Sequence, residues 1–175
     1  MEDLNLNEEK NEILGELDHL NSCIGLAKSF IESRKVKKLL TDIQNDLFVI
    51  QANFASPGDG SCLPKDITFG RIIAIQEQTY WIERKLGKLD HFILPDGTRG
   101  ACFIHCARTV ARQIERKLPG YLKEPTVTAQ YFDRVACLLF TLARYENSKN
   151  GYKEKSPEYF AAKNPKQKER KRRSR

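Results

Sequence analysis

Three arginines recur at every fourth position near the middle of the sequence: Arg108, Arg112 and Arg116. A helix turns about 100° per residue, so steps of four keep the three side chains on one side. Guanidinium groups match phosphate oxygens in pairs, so such a row suits a polyphosphate. His105 and Glu115 fall in the same sector of this helix. Spacing alone favours the alternative, a solvated face with Glu–Arg ion pairs, whereas the single acid in the row favours the phosphate site.

Other chemistry-bearing patterns are weak. Residues 58–61, Gly-Asp-Gly-Ser, have no preceding strand and no lysine after the second glycine, so we interpret them as a turn rather than a phosphate loop. Asp18 lies in an apolar stretch and either faces solvent or holds a base. Five cysteines without a CxxC pair and three scattered histidines indicate free, mostly buried thiols in a reducing compartment, and we assign no metal ligand. No Ser-His-Asp or paired-carboxylate pattern is present, which argues against ordinary hydrolase chemistry.

Apolar residues recur at three- and four-residue steps along most of the chain, the pattern typical of amphipathic helices. We therefore predict one all-α bundle over residues 12–150, with no strands. Asp66 is the expected cap of the third helix, and Pro119 with Gly120 is expected to end the fourth. The five predicted helices cover residues 12–33, 36–54, 66–86, 100–118 and 126–147.

The excess positive charge is concentrated at one end of the chain. The 30 Lys and Arg residues exceed the 23 Asp and Glu residues by seven. Residues 163–175 contain eight bases and one acid, so the remainder is neutral, which excludes a uniformly basic nucleic-acid-binding domain. We predict a flexible acidic segment at 1–11 and a disordered basic tail at 151–175. The tail is either a polyanion contact or a solvated end.

Targeting signals are not apparent in the sequence. No apolar run approaches the roughly 18 residues of a membrane span, and the acidic start differs from a secretory signal. We expect a cytoplasmic protein, or a nuclear one if the source is eukaryotic and the tail acts as a localisation signal.

Five segments, in the same order, resemble those of PduO-type ATP:cob(I)alamin adenosyltransferases. Residues 17–25 are similar to the family's "VDELNSxIG", residues 43–48 to "IQxxLF" and residues 92–97 to "FILPGG". Residues 105–116 resemble "HxARTVCRRAER", and residues 131–144 resemble "FLNRLSDxLFxLAR". The resemblance implies a five-helix bundle that assembles as a homotrimer, with each active site between neighbouring subunits.

The same resemblance implies an activity and roles for matched residues. The 5′-deoxyadenosyl group of ATP would pass to cob(I)alamin, or another reduced corrinoid, with release of triphosphate and with Mg²⁺ as a cofactor. Arg108 and Arg112 would neutralise the triphosphate, and Phe92 would displace the lower ligand of the corrinoid. Asp18 would pair with an arginine, Arg108 being the candidate, and order the interface. Further matched positions implied to bind substrate are Glu115, Arg116, Asp133 and Arg134.

The sequence departs from the family pattern at several points. A "TGDxGxTxL" segment, which wraps the ATP phosphates in the family, has no match in the sequence. Asp96 and Gln113 replace a glycine and an arginine, while Asp133 and Cys137 replace an asparagine and an aspartate. Each charged hydrogen bond lost to triphosphate costs about 1.5–3 kcal/mol. The alternative function is therefore a catalytically degenerate trimeric binding or scaffold protein with a polyanion-binding tail.

Overall fold

The computed structural model describes residues 2–55, 66–122 and 126–158, and all five helices of the described chain fall within these ranges. No strand occurs in the same ranges, which confirms the all-α prediction. None of the described helices is both long and apolar enough to cross a bilayer. The helices are α1 (Glu2–Ser29), α2 (Arg34–Ala55), α3 (Phe69–Leu86), α4 (Arg99–Leu122) and α5 (Val127–Lys149).

Helix α5 lies at the centre of the bundle. It packs against α4, α3 and α2, while α1 packs against α4 and α2. The apolar positions predicted from periodicity are buried, as in α1, where Ile13, Leu17, Leu20 and Ile24 all face the core. Burying side chains of this size is the main source of stability in such a bundle.

Two polar side chains of α2 fix it within the bundle. The Asp46 carboxylate accepts hydrogen bonds from Arg71 Nε at 2.6 Å and from the Tyr131 hydroxyl at 2.8 Å, which joins α2 to α3 and α5. The Gln44 side-chain amide donates to Asn21 Oδ1 at 2.8 Å, which joins α2 to α1. A buried polar group must be paired, so each contact sets the register of one helix against another.

The starts of α1 and α3 differ most from the sequence prediction, and α1 ends at Ser29 instead of residue 33. Helix α1 begins at Glu2 instead of near residue 12, because residues 2–11 contain no glycine or proline that would interrupt it. The predicted flexible segment is therefore helical from residue 2. The cap of α3 is Thr68 instead of Asp66, since the Thr68 side chain accepts from the Arg71 amide. Asp66 Oδ1 instead accepts from the Ile67 amide at 2.7 Å.

Helix α4 continues through Pro119 to Leu122. Proline in a helix costs about 3 kcal/mol because it removes a hydrogen bond. Packing compensates: Leu118 is fully buried, and the Tyr121 ring stacks on Phe54 with 5.7 Å between the ring centres. The prediction that Pro119 ends the helix was wrong for this reason.

The segment after α5 also differs from the prediction. Residues 151–158 pack against the bundle instead of forming the start of a disordered tail, since the Arg144 guanidinium is bonded to the Glu154 carboxylate. The predicted basic tail beyond residue 158 lies outside the described residues.

The four cysteines within the described residues are free, as expected, but they are less buried than predicted. Cys23 and Cys102 are half-buried, whereas Cys106 and Cys137 are exposed on helix surfaces. Cys62 lies outside the described residues. Although Cys137 is exposed as a residue, partial desolvation of its thiol raises the pKa, and the Asp133 carboxylate adds to the effect. This thiol is therefore protonated at neutral pH.

Replacing Gly100 with alanine should destabilise the protein. A Cβ atom at this position would lie 2.7 Å from Ile31 Cγ1 and 3.3 Å from the Phe30 carbonyl oxygen. We expect the Gly100→Ala variant to lose about 1–3 kcal/mol in the free energy of unfolding measured with urea. Gly120→Ala is the matched control in the same helix, because a methyl group added there would have no atom within 4 Å. That variant should gain about 0.5–1 kcal/mol, and an equal loss in both variants would contradict this packing.

Candidate functional site

The loop between α3 and α4 is held by one side chain of α5. The Asn147 side-chain carbonyl oxygen accepts from the Thr98 amide at 3.0 Å, and its NH₂ group donates to the Asp96 carbonyl at 2.9 Å. Gly97 has a φ of 129°, and a Cβ atom there would collide with Asn147, so glycine is required. Asp96 occupies the position where the family pattern has its first glycine. The second glycine of that pattern is retained as Gly97, the residue with positive φ.

Phe92 lies on the unanchored part of this loop. Its side chain is 78% exposed. Exposure of an aromatic ring to water is unfavourable, and a ligand or partner that covers the ring would lower the free energy. The ring borders a cavity of about 600 Å³ beneath the loop. The other lining residues are Leu89, Asp90, His91, Ile93, Pro95, His105, Arg108 and Phe140.

A second, smaller cavity adjoins the first. It encloses about 260 Å³, and Arg108 and Phe140 line both cavities. Its remaining lining residues are Glu83, Arg112, Ala136, Cys137 and Thr141. The first cavity is mainly apolar and aromatic, whereas the second brings two guanidinium groups together. The pair therefore offers one apolar and one cationic compartment that meet at Arg108.

The arginine row divides into residues with different partners. Arg112 Nη1 lies 2.6 Å from Glu115 Oε2 and 3.4 Å from Asp133 Oδ1, and Arg134 Nε lies 3.4 Å from Asp133 Oδ2. Arg112 thus has the Glu–Arg pairing that the sequence left open as the alternative. This pairing fixes the direction of its guanidinium and offsets part of its charge.

Arg108 is not paired in this way. No carboxylate of the described residues forms an ion pair with it, and its Nε atom is buried without a hydrogen-bond acceptor. Burial lowers the pKa of Arg108, and the neighbouring Arg112 lowers it further, but an arginine remains charged at neutral pH. A half-buried positive charge without a counter-charge favours an anionic ligand.

The remaining predicted site residues lie outside the two adjoining cavities. Glu115, Asp133 and Arg134 border a third cavity of about 510 Å³, which is also lined by α3. Arg116 and Asp18 are exposed and line none of these three cavities. No ion pair joins Asp18 to Arg108 within the described chain, so the pairing implied by the resemblance is not formed within one subunit.

His105 lines the larger cavity with Arg108 but is buried instead of exposed. Its side chain is 3% exposed. The pKa of His105 is lowered to about 4, mainly by burial and then by the Arg108 charge, so the imidazole is neutral at pH 7. Periodicity placed it in the arginine sector, but the close packing of α5 covers it, and the Phe140 ring centre lies 6.1 Å away.

Three contributors to the site were missed in the sequence: Phe140, Glu83 and Asn147. Phe140 lies within the family motif at residues 131–144, and its position one turn from Ala136 and Cys137 on α5 indicates a shared surface. Glu83 and Asn147 carry no local signal, because their partners lie far away in the sequence.

Comparison with known proteins identifies relatives of one kind. The family model described as cobalamin adenosyltransferase matches residues 4–146. A corrinoid adenosyltransferase from Mycobacterium leprae is 33% identical over 146 residues, which cover 76% of this chain and 75% of that protein. The corrinoid adenosyltransferase PduO from Salmonella typhimurium is 32% identical over 163 residues. The match covers 88% of this chain but only 48% of that longer protein.

The fold has a relative of known structure. A phenylalanine-to-alanine variant of the PduO-type ATP:corrinoid adenosyltransferase from Lactobacillus reuteri, complexed with cobalamin and ATP, superposes with a TM-score of 0.76. The two chains are 25% identical, and the superposition covers 86% of this chain and 87% of that one. The family match itself runs from α1 into α5. The chain belongs to the cobalamin adenosyltransferase family.

Proposed function

We propose that this protein transfers the 5′-deoxyadenosyl group of ATP to a reduced corrinoid and releases triphosphate. The observation that carries the proposal is Arg108, a half-buried guanidinium without a counter-charge where an apolar and a cationic cavity meet. The family match and the ATP and cobalamin complexes of the Lactobacillus reuteri protein support it. These features favour the enzyme over the scaffold alternative.

The two cavities suit the two substrates. A corrin ring is flat and largely apolar on its faces, so it can lie against Phe92 and Phe140 in the larger cavity. The volume of about 600 Å³ accommodates only part of a corrinoid, and the rest of the ligand would extend over the open side. The triphosphate would lie near Arg108 and Arg112 in the smaller cavity, which places the ribose carbon between the two compartments.

In the reaction, the reduced corrinoid supplies the electron pair that forms the new cobalt–carbon bond to C5′. The C5′–oxygen bond breaks, and triphosphate leaves with the electron pair of that broken bond. Arg108 and Arg112 stabilise the charge that accumulates on the leaving oxygen, and the protein holds the two reacting atoms in line. Phe92 keeps water and bases away from the lower face of the corrinoid, where either would bind the metal.

Mg²⁺ remains a proposal. The described residues contain no group of three or more His, Cys, Asp or Glu side chains that could hold a metal. The phosphates of ATP would therefore provide most of its ligands, as is usual for Mg²⁺ in nucleotide sites. Glu83 is the carboxylate that lines the smaller cavity, and we assign it as a protein ligand of Mg²⁺. The metal would offset the negative charge of Glu83 beside the phosphates.

A homotrimer and a polyanion contact complete the proposal. Asp18 is exposed and has no partner within the described chain, so we assign it to Arg108 of a neighbouring subunit. Large apolar side chains exposed on α2 and α3 are consistent with an interface: Phe48, Phe69, Ile73, Tyr80 and Trp81. The polyanion contact rests on the charge of residues 163–175 alone, since these lie outside the described residues.

Triphosphate binding should respond in opposite directions to two substitutions. Arg108→Ala removes the unpaired guanidinium, and we expect the Kd for ATP or inorganic tripolyphosphate to rise by about 10- to 100-fold. Asp133→Asn removes a carboxylate that competes for Arg112, so the Kd should fall. Isothermal titration calorimetry measures both values.

Arg34→Ala serves as the control for this pair, since Arg34 is exposed and lines neither cavity. Its Kd should match that of the wild-type protein. If Arg108→Ala behaves like Arg34→Ala, the arginine row is a solvated face and the phosphate site lies elsewhere.

Phe92→Ala should weaken displacement of the lower corrinoid ligand without loss of ATP binding. The alanine leaves the lower face of the corrinoid open to water or base. Absorbance spectra of cob(II)alamin with protein and ATP measure the fraction without a lower ligand, and we expect this fraction to fall severalfold. Leu94→Ala changes the same loop two residues away and should retain the wild-type spectrum. Identical spectra for Phe92→Ala and the wild type would mean that Phe92 only packs.

Sedimentation equilibrium should give a mass three times that of the chain. Asp18→Ala should shift the equilibrium towards the monomer, because it removes the assigned partner of Arg108 across the interface. Asp42→Ala is the control, since Asp42 pairs with Lys38 of its own helix at 2.9 Å. A wild-type protein that remains monomeric at micromolar concentration would contradict the shared site.

A further inference from the structure

The chain after α5 turns back along the loop that contains Phe92. Gly151 reverses the chain direction with a φ of 69°, and the Tyr152 amide donates to the Asn147 backbone carbonyl at 2.9 Å. Three residues later, the Lys155 carbonyl accepts from the Leu94 amide at 2.8 Å. Residues 152–155, here called the strap, are thus bonded to the loop two residues from Phe92.

One ion pair anchors the strap to α5. Arg144 Nε donates to both carboxylate oxygens of Glu154, at 3.0 and 3.1 Å. The two side chains are only 9% and 20% exposed, so solvent screens this pair little. Removing the Glu154 charge would leave the largely buried Arg144 guanidinium without a counter-charge. The strap would then be less stable in its position against α5.

The same arginine also contacts the wall of the larger cavity. The Arg144 guanidinium lies over the Phe140 ring, 5.9 Å from its centre, and Phe140 lines both cavities. Arg144 therefore links the strap on one side to the cavity wall on the other. The second contact of the strap is weaker, since Lys155 Nζ lies 3.9 Å from Asp96 Oδ2 and is well exposed.

The anchoring of the loop is uneven along its length. Asn147 fixes the backbone at residues 96 and 98, and the strap fixes it at Leu94. Phe92 lies beyond the last of these bonds. The Leu94–Lys155 hydrogen bond is thus the fixed point nearest to Phe92, and it exists only while the strap is in place.

We propose that Glu154 is a positioning residue for Phe92, acting through its ion pair with Arg144 and the backbone hydrogen bond between Lys155 and Leu94. The strap holds residues 92–94 at the mouth of the larger cavity. Only the consequence for corrinoid binding rests on the proposed function. The mechanical coupling between Glu154 and the loop stands on the contacts of the protein alone.

Amide hydrogen exchange of the unliganded protein tests the coupling. In Glu154→Gln, which keeps the shape and an acceptor oxygen, the Leu94 amide should exchange about tenfold faster, because a charged hydrogen bond becomes a neutral one. Amides in the middle of α5, such as that of Leu142, should be unchanged. Glu158→Gln is the matched control, since Glu158 is an exposed carboxylate four residues further along the same segment. Lys155→Ala keeps the backbone carbonyl, so the exchange rate of the Leu94 amide should also be nearly unchanged in this variant.

Two outcomes would overturn the coupling. One is an unchanged Leu94 exchange rate in Glu154→Gln, which would mean that the loop holds its position without the ion pair. The other is an equal acceleration at Leu94 and Leu142, which would mean that Glu154 contributes only to global stability. Arg144→Lys provides a second variant, since it retains the positive charge but loses the paired hydrogen-bond geometry. It should accelerate exchange of the Leu94 amide by a smaller factor than Glu154→Gln does.

A second measurement addresses the corrinoid. In Glu154→Gln, the fraction of cob(II)alamin without a lower ligand should fall severalfold, while the Kd for ATP stays within twofold of the wild-type value. A loss of ATP affinity equal to the loss of the spectral signal would overturn the specific role in positioning Phe92. If the wild-type protein itself gives no corrinoid spectrum, the proposed function fails, and the exchange rates alone decide whether the strap positions the loop.

Discussion

The burial of α5 is the constraint on which the rest of the structure depends. This helix packs against α4, α3 and α2, and nearly every residue from Leu138 to Asn147 is buried. Polar side chains on so buried a helix must find partners, because an unpaired buried group costs about 1–3 kcal/mol. Those partners are the elements around the site: Asn147 binds the α3–α4 loop, Arg144 binds the segment after α5, and Thr141 lies 3.5 Å from Glu83 of α3.

The balance of charges distinguishes the two arginines that face the smaller cavity. Arg112 is oriented by Glu115 and Asp133, so it is preorganised but partly neutralised. Arg108 carries the uncompensated charge, yet its Nε atom is buried without an acceptor. A phosphate that approaches Arg108 would satisfy this atom and its charge together. Arg108 is therefore already partly desolvated in the folded protein before any ligand binds. An anion that binds there need not displace a full hydration shell from the guanidinium.

The Asp96 substitution has less effect on the charge of the site than the sequence suggested. Its carboxylate lies 3.9 Å from Lys155, and its carbonyl is bonded by Asn147. Asp133 has a larger effect, because it contacts both Arg112 and Arg134. These two departures from the family pattern thus differ, since Asp96 lies near the Lys155 ammonium whereas Asp133 contacts the Arg112 guanidinium.

Local patterns in the sequence predicted the helices well. The apolar periodicity of α1 and α2 identified the residues that are buried, and the family motifs contain Arg108 and Phe92, which line the same cavity. What could not be predicted depends on distant contacts. Nothing near Asn147 indicates that it binds residues 96 and 98, and nothing near Glu154 indicates Arg144 as its partner. His105 lines the same cavity as Arg108, as the helix spacing indicated, but spacing does not reveal which neighbour covers the side chain.

The most direct test of the proposed reaction is a single turnover of the purified protein with ATP, Mg²⁺ and chemically reduced cob(I)alamin under anaerobic conditions. We expect a light-sensitive alkylcobalamin spectrum and one triphosphate released for each adenosyl group transferred, with both products strongly reduced in Arg108→Ala. Full binding of ATP and cob(I)alamin without any cobalt–carbon bond, or conversion of ATP to ADP and phosphate instead of triphosphate, would contradict it.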